Sequence, residues 1–472
     1  MIVLALCLMW LTPDNEALLR RAAEIPASKR MERVLELSGG QPESPAWRDY
    51  AAASDAMVTW FNLAVSQDAE SSALADAIEQ NMGRMLLTDD WTISQEFMIR
   101  RYLELNAEAL ALIRRATDRP ILGLPAEGIL RPSALNFSHA IRPFTAGRLA
   151  LLKAADDARR GEWKQAWEWN HRAACCTQHL MQLASVIARG AAWASEARQR
   201  AQALAFVHRA PEHAPRDPLW RDAAAAARTA SWDAVTEAEL LLTLDYTERL
   251  AAWASGAADE EIGSIVEVAV AGLGDEEGKG ALGDGGMRFD SVAEFRKAMR
   301  GWTSAKQLET EVALGRIYAD WNQRPFHECL REIRERGDEA ELRRRVRAAL
   351  IRSPASRLFH GVFSQPPEHS RRRAEHSRMT AAAVSAIVKL TAHQQRHGVL
   401  PKSLAEVCGA ELPLDSYSGT PLVYRQIGDA EFTLYSVGFD GDDDGGRVTP
   451  IGGTEDGDYV FWPPVVPKWV GN

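Results

Sequence analysis

Cysteine is scarce in this chain. Five cysteines occur among 472 residues, and no two of them are spaced as a C-x-x-C pair. An odd number of thiols without that spacing argues against a disulfide framework and against a structural zinc site. Cys175 and Cys176 are neighbours in the chain, so on a helix they point to different faces, and we interpret them as small buried apolar residues.

An excess of basic residues is also missing. Lys and Arg total 55 against 65 for Asp and Glu, which leaves a formal net charge of -10. Phosphate recognition needs clustered basic side chains, so this balance argues against nucleic-acid binding as the main function. The local basic runs 343–345 and 371–373 are predicted to be solvated helix faces. The length, with 46% hydrophobic and 25% charged residues, predicts a globular protein of about two to four domains.

No apolar run is long enough to cross a bilayer as a helix, which needs about twenty residues. The run at residues 1–11, MIVLALCLMWL, stops at Thr12 and Pro13, and it lacks the basic flank and the small-residue cleavage site of a secretory signal. We predict that residues 1–12 are the remnant of a membrane anchor or a signal-like segment. A buried first helix is the alternative interpretation.

Recognisable catalytic motifs are lacking as well. No G-x-S-x-G elbow occurs, and the glycine-rich run 272–280 has neither the spacing nor the Ser or Thr of a phosphate-binding loop. The run 327–331 has Arg331 where a zinc protease has its second histidine. His393 and His397 are spaced for one helix face, but no third ligand is near them in sequence. These absences predict a protein that is not an enzyme. The alternative is an enzyme of an unrecognised class with its site in the helical part of the chain.

What the sequence does contain is helical periodicity. Residues 13–370 carry apolar side chains at three- and four-residue spacing, in runs such as Asn15 to Leu37 and Ile93 to Thr117. Proline and glycine mark the breaks, and an acidic, glycine-rich linker is predicted at 272–290. This range is therefore predicted to be an all-helical body.

One segment of the helical body is more specific. The run 159–169 has a glycine at Gly161 followed by Trp163, Ala166 and Trp167, the composition of the turn between the helices of a tetratricopeptide-type pair. A weaker copy occurs at 230–235, and no third copy recurs at the repeat length. The pattern predicts a degenerate array of helical hairpins, with an irregular helical bundle as the alternative.

The pattern changes in residues 371–472. An apolar stripe that includes Met379, Ile387 and Leu390 predicts a helix ending at His397 and Gly398, and a short helix follows Pro401. Two alternating runs, 422–427 and 431–437, predict a hairpin, and a third strand is predicted at 458–462. The predicted fold class is mainly α, with a small carboxy-terminal α+β domain that consists of a long helix and a three-stranded antiparallel sheet.

Three runs of this module are distinctive in the order and spacing of their residues: His397-Gly398-x-x-Pro401-x-Ser403-Leu404, Pro413-x-Asp415-x-x-Ser418-Gly419-x-Pro421-x-x-Tyr424 and Phe432-x-x-Tyr435-Ser436-x-Gly438-x-Asp440-Gly441-x-x-x-Gly445-Gly446, with Asp458 beyond them. This order and spacing resemble those of the major pseudopilin of type II secretion systems. That family begins with a prepilin peptidase site that leads directly into its long helix, whereas here some 370 residues precede the helix. The helical body is similar to uncharacterised bacterial envelope proteins with degenerate tetratricopeptide-like helix pairs.

The resemblance implies a calcium site in the acidic loop 438–458, because the equivalent loop of that family binds calcium. The implied ligands are Asp440, Asp442, Asp444 and Asp458. The first three also match the first half of an EF-hand loop, although position twelve of that register is Ile451 instead of the bidentate glutamate. Carboxylates a few ångströms apart repel by about 1 kcal/mol per pair in water-like surroundings, and a divalent cation would reverse that repulsion. A solvated acidic turn without a metal is the alternative.

Taken together, these patterns predict an envelope-associated, non-enzymatic scaffold with a calcium-stabilised, pseudopilin-like module. Its partners would be proteins that bind grooves between helices. Association with a membrane would use residues 1–11, and nucleic acid is not an expected partner. Besides the enzyme alternative, a cytosolic helical adaptor is the third interpretation, which requires the first eleven residues to be packed inside the body.

Overall fold

The computed structural model describes residues 15–39, 45–57, 78, 82–83, 85–88, 91–123, 138–215, 229–256, 291–300, 302–337, 341–351, 367–428, 431–448 and 457–464. The predicted anchor remnant at 1–12 and the predicted linker at 272–290 lie outside these residues, as does Ile451.

The described residues are mostly helical with a small antiparallel sheet, which confirms the mainly α character of the predicted fold class. The helices are α1 Asn15–Ala23, α2 Ala27–Leu37, α3 Pro45–Ala56, α4 Ile93–Leu105, α5 Ala107–Thr117, α6 Ser138–Arg159, α7 Trp163–Gln182, α8 Val186–Arg209, α9 Trp232–Gly256, α10 Val292–Met299, α11 Ser304–Gln323, α12 Phe326–Arg336, α13 Glu341–Ile351, α14 Pro367–His397 and α15 Leu404–Cys408. The strands are β1 Val423–Gln426, β2 Phe432–Ser436 and β3 Tyr459–Trp462.

Two of the periodic runs are broken where the sequence pattern is continuous. The run from Asn15 to Leu37 forms α1 and α2, because Pro26 has extended backbone (ψ 144°) and no N–H to continue a helix. The run from Ile93 to Thr117 forms α4 and α5. There Asn106 leaves helical geometry, with φ -100° and ψ 16°, and its side chain donates to the Tyr102 carbonyl at 2.9 Å. A polar side chain that bonds its own backbone competes with the helix at this point.

The turn predicted at 159–169 joins α6 and α7, which pack on each other and on α8. Gly161 has a φ of 76°, a left-handed conformation that glycine adopts at a helix end without steric cost. Ala166 and Trp167 after the turn are buried. The helices approach closely at Gly147, where an added Cβ would lie 3.3 Å from the Cys176 Cβ. The tryptophan and alanine pattern therefore marks a packed helical hairpin.

The carboxy-terminal module has the predicted helix and sheet. Helix α14 ends at His397, Gly398 follows with a φ of 74°, and Met379, Ile387 and Leu390 are buried. The sheet is an antiparallel meander in the order β1-β2-β3. Its register pairs Tyr424 with Leu434 and Ser436 with Tyr459.

The module packs directly on the helical body. Helix α14 lies against α8, where the Ser377 hydroxyl donates to the Glu196 carboxylate at 2.7 Å. The Trp462 ring meets the His208 ring edge-on, with centroids 5.0 Å apart. One continuous cluster of buried apolar residues includes members of both parts. Among the helices that the structure describes, none combines the length and the apolar character that a bilayer crossing demands.

Arg371 and Arg372 depart from the prediction that the run 371–373 is a solvated face. Arg371 is only 7% exposed because its guanidinium turns toward the end of α11, where it donates to the carbonyls of Trp321 at 3.0 Å and Arg324 at 2.8 Å. It also lies over the rings of Trp321 and Phe326. Arg372 next to it donates to the Tyr459 hydroxyl at 3.0 Å. Both basic side chains thus join α14 to neighbouring elements.

Candidate metal site in the acidic loop

The acidic loop begins where strand β2 ends, and a glycine sets its direction. Gly438 has a φ of 77°, and a Cβ at this position would collide with the carbonyl oxygen of Gly457. Glycine avoids both the conformational strain and the collision. The loop therefore passes directly against the chain that enters strand β3.

Three of the four predicted ligands lie together. A carboxylate oxygen from each of Asp440, Asp442 and Asp444 lies within 4.8 Å of the others. Gly441 between Asp440 and Asp442 has a φ of 79°, and Gly445 directly after Asp444 has a φ of 73°, which allows the loop to curl around these side chains. Asp442 is exposed, whereas Asp440 and Asp444 are half-buried. The separation is short enough for one cation to contact all three residues after small side-chain movements.

Asp440 is held by backbone donors on both sides of the loop. Its Oδ2 accepts from the Gly457 N–H at 2.7 Å, and its Oδ1 accepts from the Asp442 N–H at 3.4 Å. Partial burial raises the pKa of the Asp440 carboxyl, the Gly457 N–H opposes that shift, and the neighbouring Asp442 carboxylate adds to it. Burial and a neighbouring negative charge both disfavour the ionised form of Asp440, and a nearby cation would stabilise that form.

Asp444 and Asp458 each have a buried oxygen without a donor among the residues that the structure describes. The Asp444 Oδ1 accepts from Arg447 at 2.6 Å, and its Oδ2 is the unpaired atom. Asp458 has no exposed surface, its Oδ2 accepts from the Gly446 N–H at 2.6 Å, and its Oδ1 is unpaired. Burial raises the pKa of Asp458 to about 6; the backbone N–H groups of Gly446 and Asp444 oppose that shift, and the negative charges of Asp443 and Asp444 add to it. A buried carboxylate oxygen without a hydrogen-bond donor raises the free energy of the folded state, and binding of a proton or a cation would lower it.

Asp458 is therefore placed beside Asp444 and outside the set of three. Its backbone forms a bridge with Val448, on the other side of the loop. The residues present fit a hard divalent cation, because every donor is a carboxylate oxygen and two such oxygens lack partners within the described chain. Asp440, Asp442 and Asp444 would hold the ion, with Asp458 next to them. The ion would supply positive charge that no side chain of this set provides.

The central aspartate of the run, Asp443, points away from this set. Its Oδ1 accepts from the Tyr435 hydroxyl at 2.8 Å and its Oδ2 from Arg425 at 2.6 Å. The hydrogen bond from Tyr435 is the main cause that lowers the pKa of Asp443. Asp443 thus fastens the loop to the β1–β2 hairpin. In the sequence, Asp443 is distinguished from Asp442 and Asp444 only by its position, because alternate side chains of an extended loop point to opposite sides.

Asp415 belongs to one of the motifs in the sequence, but its role is visible only in the structure. This carboxylate is 1% exposed and accepts from three donors: the Tyr417 N–H at 2.8 Å, the Ser436 hydroxyl at 2.9 Å and the Val437 N–H at 3.0 Å. Asp415 therefore connects the loop after α15 to the end of β2, directly before the acidic loop.

The histidines considered as metal ligands do not form a comparable site. His393 and His397 face each other, with ring centroids 4.4 Å apart, but in the described chain no third His, Cys, Asp or Glu joins them. His327 lies against Gly419, and Arg331 is exposed.

A buried cluster in the helical body bears on the enzyme alternative. The Tyr50 hydroxyl contacts His179 Nδ1 at 2.8 Å and Cys176 Sγ at 3.4 Å. Burial raises the pKa of the Cys176 thiol to about 12 and also raises that of Tyr50. All three side chains are buried, so the thiol is protonated and has no contact with solvent. The arrangement is that of a core hydrogen-bond network and not of an activated nucleophile.

No family model, curated protein or solved structure matches this chain. A function must therefore be inferred from the geometry of the acidic loop and from the packing around it.

Proposed function

We propose that this protein is a non-enzymatic, envelope-associated scaffold or protein-interaction protein whose pseudopilin-like carboxy-terminal module is stabilised by calcium. One observation carries the calcium proposal. The carboxylates of Asp440, Asp442 and Asp444 converge beside the buried, unpaired oxygens of Asp444 and Asp458. Calcium prefers such an all-oxygen, mostly carboxylate donor set.

The cation would act as a structural link. Without it, the loop brings negative charges together while Asp440 bonds to the Gly457 backbone next to strand β3. With it, the same charges hold the loop between β2 and β3 in one conformation. A ligand that binds only the folded state stabilises it by about 2.7 kcal/mol at a concentration one hundred times its dissociation constant.

The test uses the full-length chain. Isothermal titration with calcium after removal of metal by EDTA is expected to show binding, and saturating calcium is expected to raise the midpoint of thermal unfolding. Asp440→Asn, Asp442→Asn and Asp444→Asn should each weaken binding at least tenfold, about 1.4 kcal/mol. Glu431→Gln is the matched control because it also removes one carboxylate charge from an exposed position of the same module, outside the acidic loop and the converging set. No heat and no change in melting temperature for the unmodified chain would remove the calcium proposal.

The scaffold proposal is supported by the helical hairpin α6–α7 and the layer that it forms with α8. Paired helices of this kind offer grooves in which partner proteins bind. Association with the envelope is proposed from the apolar sequence of residues 1–11. Cell fractionation with sequencing of the mature amino terminus tests it, and recovery of the intact chain from the cytosolic fraction would favour the adaptor interpretation instead.

A further inference from the structure

Helix α12 of the helical body contacts the carboxy-terminal module at two places. Near its start, Phe326 packs on Tyr417 with ring centroids 5.8 Å apart, and the His327 ring lies against Gly419, where an added Cβ would be 2.7 Å from the imidazole. Near its end, the Arg334 guanidinium donates to the main-chain carbonyl of Asp440. The two places are seven residues apart, which is about 10 Å along a helix.

The two contact regions are also connected inside the module. Asp415 accepts from the Tyr417 N–H on one side and from the Val437 N–H on the other. Val437 leads into the acidic loop that Arg334 reaches. A closed ring of contacts therefore runs from α12 to the 415–419 turn, through Asp415 to the acidic loop, and back to α12. This ring connects the conformation of the loop to the position of α12.

Arg334 contacts the loop at the first of the three residues whose carboxylates converge. The carbonyl that it binds belongs to Asp440, and the next residue is Gly441, whose missing side chain leaves room for the guanidinium. The peptide that Arg334 orients is thus flanked by the carboxylates of Asp440 and Asp442, two of the three that converge.

We propose that Arg334 couples cation binding in the acidic loop to the docking of α12, which makes the metal site dependent on the helical body. The inference rests on the proposed calcium site. Arg334 and the cation order the same short loop from opposite sides, so each lowers the conformational entropy that the other must remove. Coupling of this kind is reciprocal: the contact strengthens calcium binding, and calcium strengthens the contact.

Charge repulsion between Arg334 and the cation acts in the opposite direction. Arg334 is exposed, and its donor reaches a neutral carbonyl, not a carboxylate. Solvent screens the repulsion between the exposed guanidinium and the cation strongly. The entropic effect of ordering the loop is not electrostatic, so screening does not reduce it. The net coupling is therefore positive.

The experiment measures calcium affinity of the full-length chain by isothermal titration for three proteins: unmodified, Arg334→Ala and Arg331→Ala. Arg331 is the matched control, since it is an exposed arginine on the same helix, and its removal changes the net charge equally. Arg334→Ala is expected to weaken calcium binding about fivefold, the low end for coupled sites, and Arg331→Ala to change it less than about twofold. Hydrogen exchange of the α12 amides is expected to slow with calcium in the unmodified chain but not in Arg334→Ala.

The outcomes separate the two proposals. Absence of calcium binding in the unmodified chain overturns the site itself, and the coupling with it. Calcium binding that is unaffected by Arg334→Ala, or affected equally by Arg331→Ala, overturns the coupling and leaves the site intact. Tighter binding in Arg334→Ala would show that repulsion dominates and also overturns it. Circular dichroism of each variant checks that the helical content is retained.

Discussion

The Asp415 carboxylate accepts a hydrogen bond from the Val437 backbone N–H at 3.0 Å, in a position where Asp415 is 1% exposed. The same carboxylate accepts from Tyr417 and Ser436. A single buried side chain thus accepts from three donors of two segments, which ties the turn after α15 to the start of the acidic loop.

Asp415→Asn is expected to destabilise the full-length chain by about 1–3 kcal/mol. The side-chain NH2 group of asparagine would face one of the three hydrogen-bond donors, and that donor would then have no acceptor. Chemical denaturation followed by circular dichroism measures the loss. Asp442→Asn in the presence of EDTA is the control, since that carboxylate is exposed, and it should leave stability within about 0.5 kcal/mol. Equal stability of Asp415→Asn and the unmodified chain would contradict the assigned role.

Gly438→Ala tests the close approach of the loop to Gly457. The substitution forces a left-handed conformation on alanine and brings its Cβ against a backbone carbonyl that cannot move aside easily. A loss of about 2 kcal/mol or more is expected. Gly398→Ala is the matched control, because Gly398 has a φ of 74° with open space around it, and strain alone should cost about 1 kcal/mol. If both variants lose the same amount, the collision has no energetic consequence.

Arg371→Lys tests whether the module and the helical body depend on each other. Lysine keeps the charge but lacks the planar fork that reaches the Trp321 and Arg324 carbonyls and lies over the two rings. The expected loss of unfolding free energy is about 2–4 kcal/mol. Arg378→Lys, where the side chain is 58% exposed, should change stability by less than about 0.5 kcal/mol. A smaller effect at Arg371 than at Arg378 would refute the interpretation.

His376 gives the interface between α14 and β3 a dependence on pH. Burial lowers the pKa of His376 to about 4, and the charges of Arg372 and Arg200 add to the shift. Its ring packs on Tyr459 and Phe461, and among the described residues its Nδ1 has no hydrogen-bond partner. The unfolded chain, with a histidine pKa near 6.5, binds more protons than the folded chain between about pH 6.5 and pH 4. This contribution is present above about pH 6.5 and is lost as the pH falls toward about 4.

The loss from His376 amounts to at most about 2.5 kcal/mol between about pH 7.5 and pH 4.5. His376→Phe keeps the ring without the titration, so it is expected to remove that part of the acid sensitivity. Urea denaturation at the two pH values measures it. An identical pH dependence in His376→Phe and the unmodified chain would show that His376 is not buried neutral.

Much of the local structure was predictable from the sequence. Periodicity of three and four residues predicts helices because it places apolar side chains on one face, and it located the stripe on α14. The glycine, tryptophan and alanine composition of 159–169 located the hairpin at Gly161. Alternation predicted the strands to within a residue at each end. The resemblance to the pseudopilin loop implied Asp440, Asp442 and Asp444 as ligands, and the structure places a carboxylate oxygen of each within 4.8 Å of the others.

Other features depended on tertiary structure. Arg371 belongs to a basic run whose pattern predicts a solvated face, yet it is buried because the end of α11 presents free carbonyls to it. The partners of Asp443, the three donors of Asp415 and the contact of Arg334 with a loop more than one hundred residues away have no local signal. The physical reason is that hydrophobic patterns and turn residues act within a few neighbours, whereas these polar contacts exist only after packing has brought distant segments together.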